Sequence, residues 1–249
     1  MKFEITPIYV ISLADDKLRK DALRKNFPVY FNQFKFVDAF DFRKKNIRDI
    51  EHLYNKCIHN RKNPLTPTEI GCSLSHIKAL QLFLESDYKR CLILEDDIIG
   101  GDKDIDLSIF LLENNVNRGL YILGGQEGMK NERYLCGYKN LTNIYTIPYL
   151  ARFFLYRTCC YSVDRWWAKQ IIIKQSTCLR RADDWIQLTD SRKDVFFFKA
   201  LKHPMTLENS YIQDERNLFK DNIISLVFRN FLKFYLSILI MFRKLKRIK

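Results

Sequence analysis

Residues 91–97, with the sequence Cys-Leu-Ile-Leu-Glu-Asp-Asp, decide the predicted fold class. The run from Cys91 to Leu94 is apolar at every position, which is typical of a strand buried on both faces of a sheet. Three acids, Glu95, Asp96 and Asp97, follow this run directly. The segment therefore predicts a central strand whose carboxyl end carries a concentrated negative charge.

Three other segments predict strands of the same sheet, at residues 7–13, 35–39 and 120–123. Segments with helical spacing separate them, including one over residues 69–86 that Thr66 or Thr68 can cap. This alternation predicts an α/β fold with a mainly parallel sheet. Ligands of such sheets bind at the carboxyl ends of the strands. The polar residues that follow the strands are expected to gather at that edge, namely Ser12, Asp38, Glu95, Asp96, Asp97, Gly124 and Gly125.

The acidic run predicts a metal site. Adjacent carboxylates at the end of a buried strand repel one another unless a cation lies among them. Alternate residues of an extended segment point to the same side, so Glu95 and Asp97 can converge on one ion. Mn²⁺ or Mg²⁺, itself bound to a diphosphate, suits oxygen ligands of this kind. The alternative is three solvated acids in a loop, which the run taken alone slightly favours.

The helix that begins near residue 67 carries the second informative motif, Leu65 to His76. Its small residues Gly71, Cys72, Ser73 and Ser75 would let the helix lie close to a ligand or to the acidic strand. Ser75 and His76 can donate hydrogen bonds to a phosphate or a ribose. The alternative is an ordinary capped helix in which His76 is satisfied internally, and this helix taken alone favours it.

The two motifs together resemble glycosyltransferase family 25, which includes bacterial lipooligosaccharide galactosyltransferases. Glu-Ile-Gly-Cys-Ser-Leu-Ser-His at 69–76 precedes Leu-Ile-Leu-Glu-Asp-Asp at 92–97, behind Tyr-Val-Ile-Ser-Leu at 9–13 and Arg19. The resemblance covers roughly residues 5 to 215. It extends to Val37–Ala39, Arg157–Ser162, Asp183-Asp184-Trp185 and His203-Pro204.

The resemblance implies a GT-A fold, which is a Rossmann-like, mainly parallel sheet that binds a nucleotide sugar. It implies Asp97, Glu95 and His203 as ligands of Mn²⁺ or Mg²⁺, although a surface His-Pro turn remains an alternative for His203. The implied donor-binding residues are Ile11, Ser12, Leu13, Arg19, Asp38, Gly71, Ser75, His76, Glu95 and Asp96. Arg19 as a solvated helix charge and Asp38 as a turn cap remain alternatives.

The resemblance also implies an inverting transfer of a hexose, with galactose from UDP-galactose as the expected donor sugar. The expected acceptor is a sugar of a lipid-linked lipooligosaccharide or lipopolysaccharide core. Inversion needs a base for the acceptor hydroxyl, and Asp184, with Asp183 second, is the candidate. Trp185 would provide an apolar wall on which a sugar ring stacks. The alternative for the two aspartates is a helix N-terminus with favourable dipole contacts.

The C-terminal segment holds more than half of the net charge. The chain has 249 residues with 42 Lys+Arg and 29 Asp+Glu, which gives +13. Residues 222–249 contain seven basic residues and no acid, among many Ile, Leu and Phe. We therefore divide the chain into a glycosyltransferase domain at 1–221 and a basic amphipathic helical tail at 222–249. The tail is expected to contact an anionic inner-membrane surface; a helix packed on the body or on a partner is the alternative.

Composition limits the remaining possibilities. The chain contains 19 Phe and 13 Tyr, enough aromatic side chains to form a core and exclude wholesale disorder. Its seven cysteines form no Cys-x-x-Cys pair, which favours free thiols in a reducing compartment. The expected location is cytoplasmic and peripheral on the inner membrane. One competing hypothesis is a non-catalytic membrane-associated scaffold. The other is a basic nucleic-acid-binding protein, which the absence of any nucleic-acid recognition motif argues against. No nucleic-acid partner is therefore expected.

Overall fold

The computed structural model describes residues 6–50, 52, 65–114, 119–129, 131–140, 143–204 and 223–248. Nine strands in the described residues form one sheet. They are β1 (Ile8–Ser12), β2 (Phe34–Asp38), β3 (Arg90–Glu95), β4 (Leu120–Gly124), β5 (Cys136–Lys139), β6 (Tyr145–Ile147), β7 (Cys160–Asp164), β8 (Val195–Leu201) and β9 (Lys246–Arg247).

The sheet is mixed, which corrects the prediction of a mainly parallel one. Its strand order is β2-β1-β3-β7-β4-β8-β6-β5-β9. Strands β2, β1 and β3 are parallel neighbours, and β4 is parallel to β8. Strand β7 lies antiparallel between β3 and β4, and β6, β5 and β9 extend the sheet with antiparallel pairs. The four predicted strand segments correspond to β1, β2, β3 and β4 and are confirmed. No strand is predicted from the sequence at the positions of β5 to β9.

Helices cover both faces of the sheet. They are α1 (Lys17–Asn26), α2 (Ile47–Ile50), α3 (Pro67–Glu85), α4 (Asp102–Glu113), α5 (Arg165–Thr177), α6 (Trp185–Leu188) and α7 (Ile223–Met241). Alternate residues of β1 and β3 enter two apolar clusters. Tyr9 and Ile93 lie in the cluster that contains residues of α3 and α5, and Val10 and Leu92 lie in the one that contains residues of α1 and α4. Because both faces are covered, β3 is buried as predicted.

Helix α3 begins at the predicted cap. The Thr66 hydroxyl accepts a hydrogen bond from the Glu69 N–H at 3.2 Å, and a Glu69 carboxylate oxygen accepts one from the Thr66 N–H at 3.0 Å. This reciprocal pair is a capping box, and it decides between Thr66 and Thr68. Pro67 occupies the first turn, where a missing N–H costs nothing. The cap therefore determines the residue at which α3 begins.

The C-terminal segment packs on the body of the protein. Leu232 and Leu236 of α7 are buried in the same cluster as Tyr9 and Ile93, and β9 pairs antiparallel with β5. The expected domain boundary at 221/222 falls within residues 205–222, which lie outside the described residues. None of the described helices is long and apolar enough to cross a membrane.

The cysteines differ from expectation at one position. Cys72, Cys91, Cys136, Cys159 and Cys160 are free thiols, as predicted. Cys178, however, is disulfide-bonded, so the prediction of free thiols throughout is wrong. Residue spacing did not reveal this bond, because a disulfide depends on which sulfurs the fold brings together. Cys57 lies outside the described residues.

We expect Thr66→Ala to lower the free energy of unfolding by about 1–2 kcal/mol, because it leaves the Glu69 N–H without its acceptor. Urea denaturation followed by circular dichroism measures this change. Thr177→Ala is the matched control, since Thr177 is exposed and its hydroxyl donates only to the Ile173 carbonyl of its own helix. Equal destabilisation by both variants would contradict a specific role for the capping box.

Candidate active site

The carboxyl ends of β1, β2 and β3 meet at one edge of the sheet. Ser12 is in register with Asp38, and Ile11 is in register with Glu95. A cavity of about 490 Å³ opens at this edge. Its walls include most of the predicted donor-binding and metal-binding residues: Ile11, Ser12, Leu13, Arg19, Ser75, His76, Glu95, Asp96, Asp97 and His203. Asp38 and Gly71 are not among the residues that line it.

Helix α3 approaches the cavity closely because it carries a glycine. A Cβ atom at Gly71 would lie 2.5 Å from the Phe40 carbonyl oxygen. The Phe40 N–H donates to the Ser75 hydroxyl at 2.8 Å, and that hydroxyl donates to the Gly71 carbonyl at 2.7 Å. Gly71 and Ser75 therefore hold the segment after β2 against α3. Ser75 lines the cavity, but its single hydroxyl proton is already donated to the Gly71 carbonyl.

Each of the three consecutive acids has a different partner. Arg19 Nη1 lies 2.6 Å from Asp96 Oδ1 and 3.7 Å from Asp97 Oδ2. His203 Nε2 lies 3.4 Å from Asp97 Oδ2, and His76 Nε2 lies 3.2 Å from Glu95 Oε1. Adjacent carboxylates repel one another unless positive charge lies near them, and the protein places a cationic or imidazole group beside each of the three.

His76 orients Glu95. A carboxylate only accepts hydrogen bonds, so the His76 Nε2–H donates to Glu95 and Nδ1 accepts from the Tyr161 hydroxyl, at 3.1 Å. Burial raises the pKa of Tyr161 well above its ordinary value, which keeps that hydroxyl protonated. Thr158 adds a third bond, because its hydroxyl donates to Glu95 Oε1 at 2.6 Å. His76 thus acts as a positioning residue with both ring nitrogens engaged.

Two groups of residues are candidates to hold a metal ion. Cys72, His76 and Glu95 present ligand atoms within 4.8 Å of one another, and a thiol ligand selects a softer ion such as Zn²⁺. Binding there would break a hydrogen bond of His76. In the second group, Asp97 and His203, the buried Asp97 Oδ1 has no hydrogen-bond partner among the described residues. This second group fits a hard ion such as Mn²⁺ or Mg²⁺ better.

His203 has the orientation of a metal ligand. A carbonyl oxygen only accepts, so the contact of 2.8 Å between Nδ1 and the Pro204 carbonyl places a proton on Nδ1. In the neutral ring the Nε2 lone pair then faces Asp97. Metal-binding histidines usually donate their second ring N–H to a carbonyl or carboxylate in this way.

The pKa values of the acids and of His203 reflect this pairing. Burial opposes charge on both Asp97 and His203, but their mutual hydrogen bond and opposite charges lower the pKa of Asp97 and raise that of His203. Burial raises the pKa of Asp96, although the side chains of Arg19 and Ser12 act in the opposite direction. Asp96 is buried against Arg19 and so fixes that arginine at the cavity.

The two candidate base residues lie beside a different loop and do not line the cavity. Asp183 Oδ2 accepts from the Arg157 N–H at 3.4 Å, and Asp183 Oδ1 lies 3.9 Å from Arg181 Nε. The Arg157 side chain donates to the carbonyl oxygens of Gly125 and Glu127. Asp184 precedes α6, as the alternative interpretation of a helix N-terminus expected, but its side chain makes no capping hydrogen bond.

Trp185 is not a stacking wall. Its side chain is 2% exposed, and its indole N–H donates to the Arg157 carbonyl at 3.1 Å. It also packs edge-on against Tyr161. The prediction that a sugar ring stacks on Trp185 is therefore wrong, because the tryptophan supports the loop at 157 from inside the core.

The resemblance includes Thr158 and Tyr161 within Arg157–Ser162, but the sequence did not predict their roles at the site. They reach Glu95 and His76 because β7 enters the sheet antiparallel beside β3, a placement that no local pattern indicates. Phe40 and Phe42, which also line the cavity, form a tilted aromatic pair with ring centroids 5.9 Å apart. The sequence feature that could have identified them is the presence of two aromatic residues in an otherwise polar loop.

Comparison with known proteins identifies relatives of this chain. The sequence model of glycosyltransferase family 25 (LPS biosynthesis protein) matches residues 5–186. The lipooligosaccharide biosynthesis protein lic2B of Haemophilus influenzae is 31% identical over 94 residues, which are 38% of this chain and 34% of that protein. Procollagen galactosyltransferase 2 of Homo sapiens is 26% identical over 102 residues, 39% of this chain and 16% of that protein.

These matches are partial. The aligned region spans about a third or less of the length of the two relatives. Among solved structures, the crystal structure of A197 from STIV covers 80% of this chain and 85% of its own, at 15% identity and a TM-score of 0.41. That structural similarity is too low to carry an argument.

We expect the pairing of Asp97 and His203 to stabilise the metal-free protein most strongly between about pH 4 and pH 6.5. The raised pKa of His203 gives stability that is complete below the unfolded value and is lost as the pH rises through the folded value. The lowered pKa of Asp97 gives stability that is present above its unfolded value and is lost as the pH falls through the folded value.

Urea denaturation of the wild type and of His203→Gln checks this pH dependence. The difference in unfolding free energy should be larger at about pH 5.5 than at about pH 8.5. A difference that stays constant, or that grows with pH, would show that the two side chains do not interact as an ion pair.

Proposed function

This chain belongs to glycosyltransferase family 25, and we propose that it is an inverting, metal-dependent hexosyltransferase. It moves a hexose, with galactose as the expected sugar, from a UDP-sugar onto a sugar of a lipid-linked oligosaccharide. The single observation that carries the proposal is the cavity at the carboxyl ends of β1 to β3. There, Asp97, His203 and Arg19 combine an ion-binding pair with a fixed cation.

The cavity suits a nucleoside diphosphate. Arg19 is buried on one side by its ion pair with Asp96, so its position is fixed before a ligand arrives. A guanidinium in this position can bind diphosphate oxygens through two N–H groups. Phe40 and Phe42 offer aromatic surface on another wall, which suits stacking of the base. The nucleotide would therefore lie between the segment after β2 and the acids after β3.

Asp97 and His203 would hold the metal ion, with Glu95 beside them. When bound, Mn²⁺ or Mg²⁺ supplies positive charge to the diphosphate leaving group. His203 would ligate through Nε2 and Asp97 through its carboxylate, so His203 would have to give up any proton on Nε2 when the ion binds. Arg19 contributes a second, permanent charge to the same leaving group. Glu95 is held by His76 and Thr158 and so keeps its orientation.

A carboxylate is expected to act as the base. Inversion requires that the acceptor hydroxyl attack the anomeric carbon from the side opposite to the leaving diphosphate, while its proton passes to the base. Asp184 is our first candidate and Asp183 the second. Asp183 accepts a hydrogen bond from the Arg157 N–H and lies near Arg181, which suits an orienting role. Asp184 immediately precedes α6.

Two relatives indicate the chemical class of the substrates. One is named a lipooligosaccharide biosynthesis protein and the other a procollagen galactosyltransferase. The second name specifies transfer of galactose, and the first specifies lipooligosaccharide biosynthesis. We therefore propose a galactosyl donor, and a lipid-linked acceptor because the chain also carries the basic, apolar C-terminal segment.

We expect Asp97→Asn to reduce Mn²⁺-dependent hydrolysis of UDP-galactose at least about 100-fold, because it removes the charged ligand of the ion. Electron paramagnetic resonance of Mn²⁺ should show loss of the bound ion in the same variant. Asp21→Asn is the matched control, because Asp21 is an exposed aspartate on α1 that makes contact only with Arg24. Wild-type protein that binds Mn²⁺ but hydrolyses no nucleotide sugar would favour a non-catalytic scaffold.

We expect Asp184→Asn to lower the transfer rate by about 10² to 10⁴-fold while UDP and Mn²⁺ affinities stay unchanged, because a base acts on the acceptor alone. Asp183→Asn tested beside it separates the two aspartates. Calorimetry with UDP and Mn²⁺ measures the affinities, and product formation with a galactosyl acceptor panel measures the rate. Full activity of Asp184→Asn together with loss in Asp183→Asn would exchange their roles.

A further inference from the structure

Helix α7 is apolar on two opposite faces. Its inward face buries Leu232 and Leu236 in the core of the protein. Its outward face exposes Phe231, Phe234 and Met241, whose exposed fractions are 64%, 66% and 68%. Val227 precedes these residues at a helical spacing and is also exposed. A helix that only packed on the body would carry polar residues on its outward side.

The outward face forms a continuous stripe. Positions 227, 231, 234, 238 and 241 follow steps of four and three residues, so they lie along one side of the helix. Phe228, Tyr235 and Phe242 widen the stripe, and all three are exposed. Large apolar side chains concentrated in this way mark a surface that binds something. The outward stripe consists of Val227, Phe228, Phe231, Phe234, Tyr235, Ile238, Met241 and Phe242.

Positive charge lies directly beside the outward stripe. Arg243, Lys244, Lys246 and Arg247 follow Phe242 and are exposed. They are held in place because Leu245 and Ile248 are buried and β9 pairs with β5. Residues 223 to 248 contain no acid. The basic side chains therefore have no opposite charge within their own segment.

We propose that the outward stripe and the basic residues at 243–247 form a docking surface for an anionic lipid bilayer. The helix would lie in the interface with its outward stripe among the acyl chains, and the basic residues would contact anionic headgroups. The charge decides between occupants. A second copy of this chain would bring further basic residues against the first, whereas paired helices normally place acids opposite bases beside the apolar seam.

The proposed surface is remote from the candidate active site in the sheet. Strand β9 lies at one edge of the strand order, and β2 and β1, which border the cavity, lie at the other. Changes to the outward stripe should therefore leave the chemistry at Asp97 untouched. This separation makes failure of the docking proposal distinguishable from failure of the proposed enzymatic function.

Sedimentation with large unilamellar vesicles tests the surface. The wild type should bind vesicles of phosphatidylcholine with roughly 30% anionic phosphatidylglycerol, and should bind pure phosphatidylcholine far more weakly. The double variant Phe231→Ser, Phe234→Ser should lower the partition coefficient at least about tenfold, because it removes two inserted aromatic side chains. Phe110→Ser is the matched control, since Phe110 is 60% exposed on α4, and it should bind like the wild type.

A second set of variants tests the charge. Replacing Arg243, Lys244 and Lys246 by Gln should weaken binding by about fivefold per residue, and high salt should weaken the wild type in the same direction. Replacing Lys25, Lys103 and Lys169 by Gln changes the net charge equally at exposed positions elsewhere and should have little effect. Hydrolysis of UDP-galactose in solution should be equal in all folded variants, whose folding is checked by circular dichroism.

Three outcomes would overturn the proposal. One is equal binding to neutral and anionic vesicles or to neither. Another is equal loss of binding in the two charge variants, which would show that net charge alone matters. The third is a stable dimer in sedimentation equilibrium that becomes monomeric in Phe231→Ser, Phe234→Ser, because the outward stripe would then be covered by a second copy of the chain.

Discussion

The ion pair of Arg19 with Asp96, at 2.6 Å, is the contact on which the site depends. Strand β3 delivers three adjacent carboxylates to the sheet edge, and their mutual repulsion must be offset for the strand to end there. Arg19 comes from α1 and neutralises the buried member of the three. His203 and His76, from other parts of the chain, engage the two neighbours. Positive or imidazole groups thus lie beside all three acids, and Asp97 Oδ1 has no hydrogen-bond partner among the described residues.

The three acids after β3 therefore have different structural roles. Asp96 fixes Arg19, Glu95 is held by His76 and Thr158, and Asp97 faces His203. Of these three acids, only Asp97 has a buried oxygen without a hydrogen-bond partner among the described residues. The sequence alone does not distinguish the roles of these three adjacent acids. The difference arises because an acid at the end of a strand is oriented by whichever element packs beside it.

Helix α3 and strand β7 bring these partners to the sheet edge. Gly71 lets the helix contact the Phe40 carbonyl, and this contact places His76 over the end of β3. Strand β7 enters antiparallel between β3 and β4 and so carries Tyr161 and Thr158 to the same place. At the opposite edge, α7 and β9 attach a segment that is apolar both inward and outward. The sheet therefore joins a charged cavity at one side to an apolar, basic surface at the other.

Much of the architecture was determined by the sequence itself. The apolar run at 91–94 predicted a buried strand, Thr66 or Thr68 predicted a helix start, and the acids after β3 were expected at the carboxyl edge, because these consequences depend on near neighbours in the chain. Tertiary structure decided the rest. The antiparallel placement of β7, the burial of Trp185 and the pairing of His203 with Asp97 join residues far apart in sequence. Such contacts depend on how elements pack, and local hydrophobic periodicity and side-chain chemistry carry no information about which distant surfaces will meet.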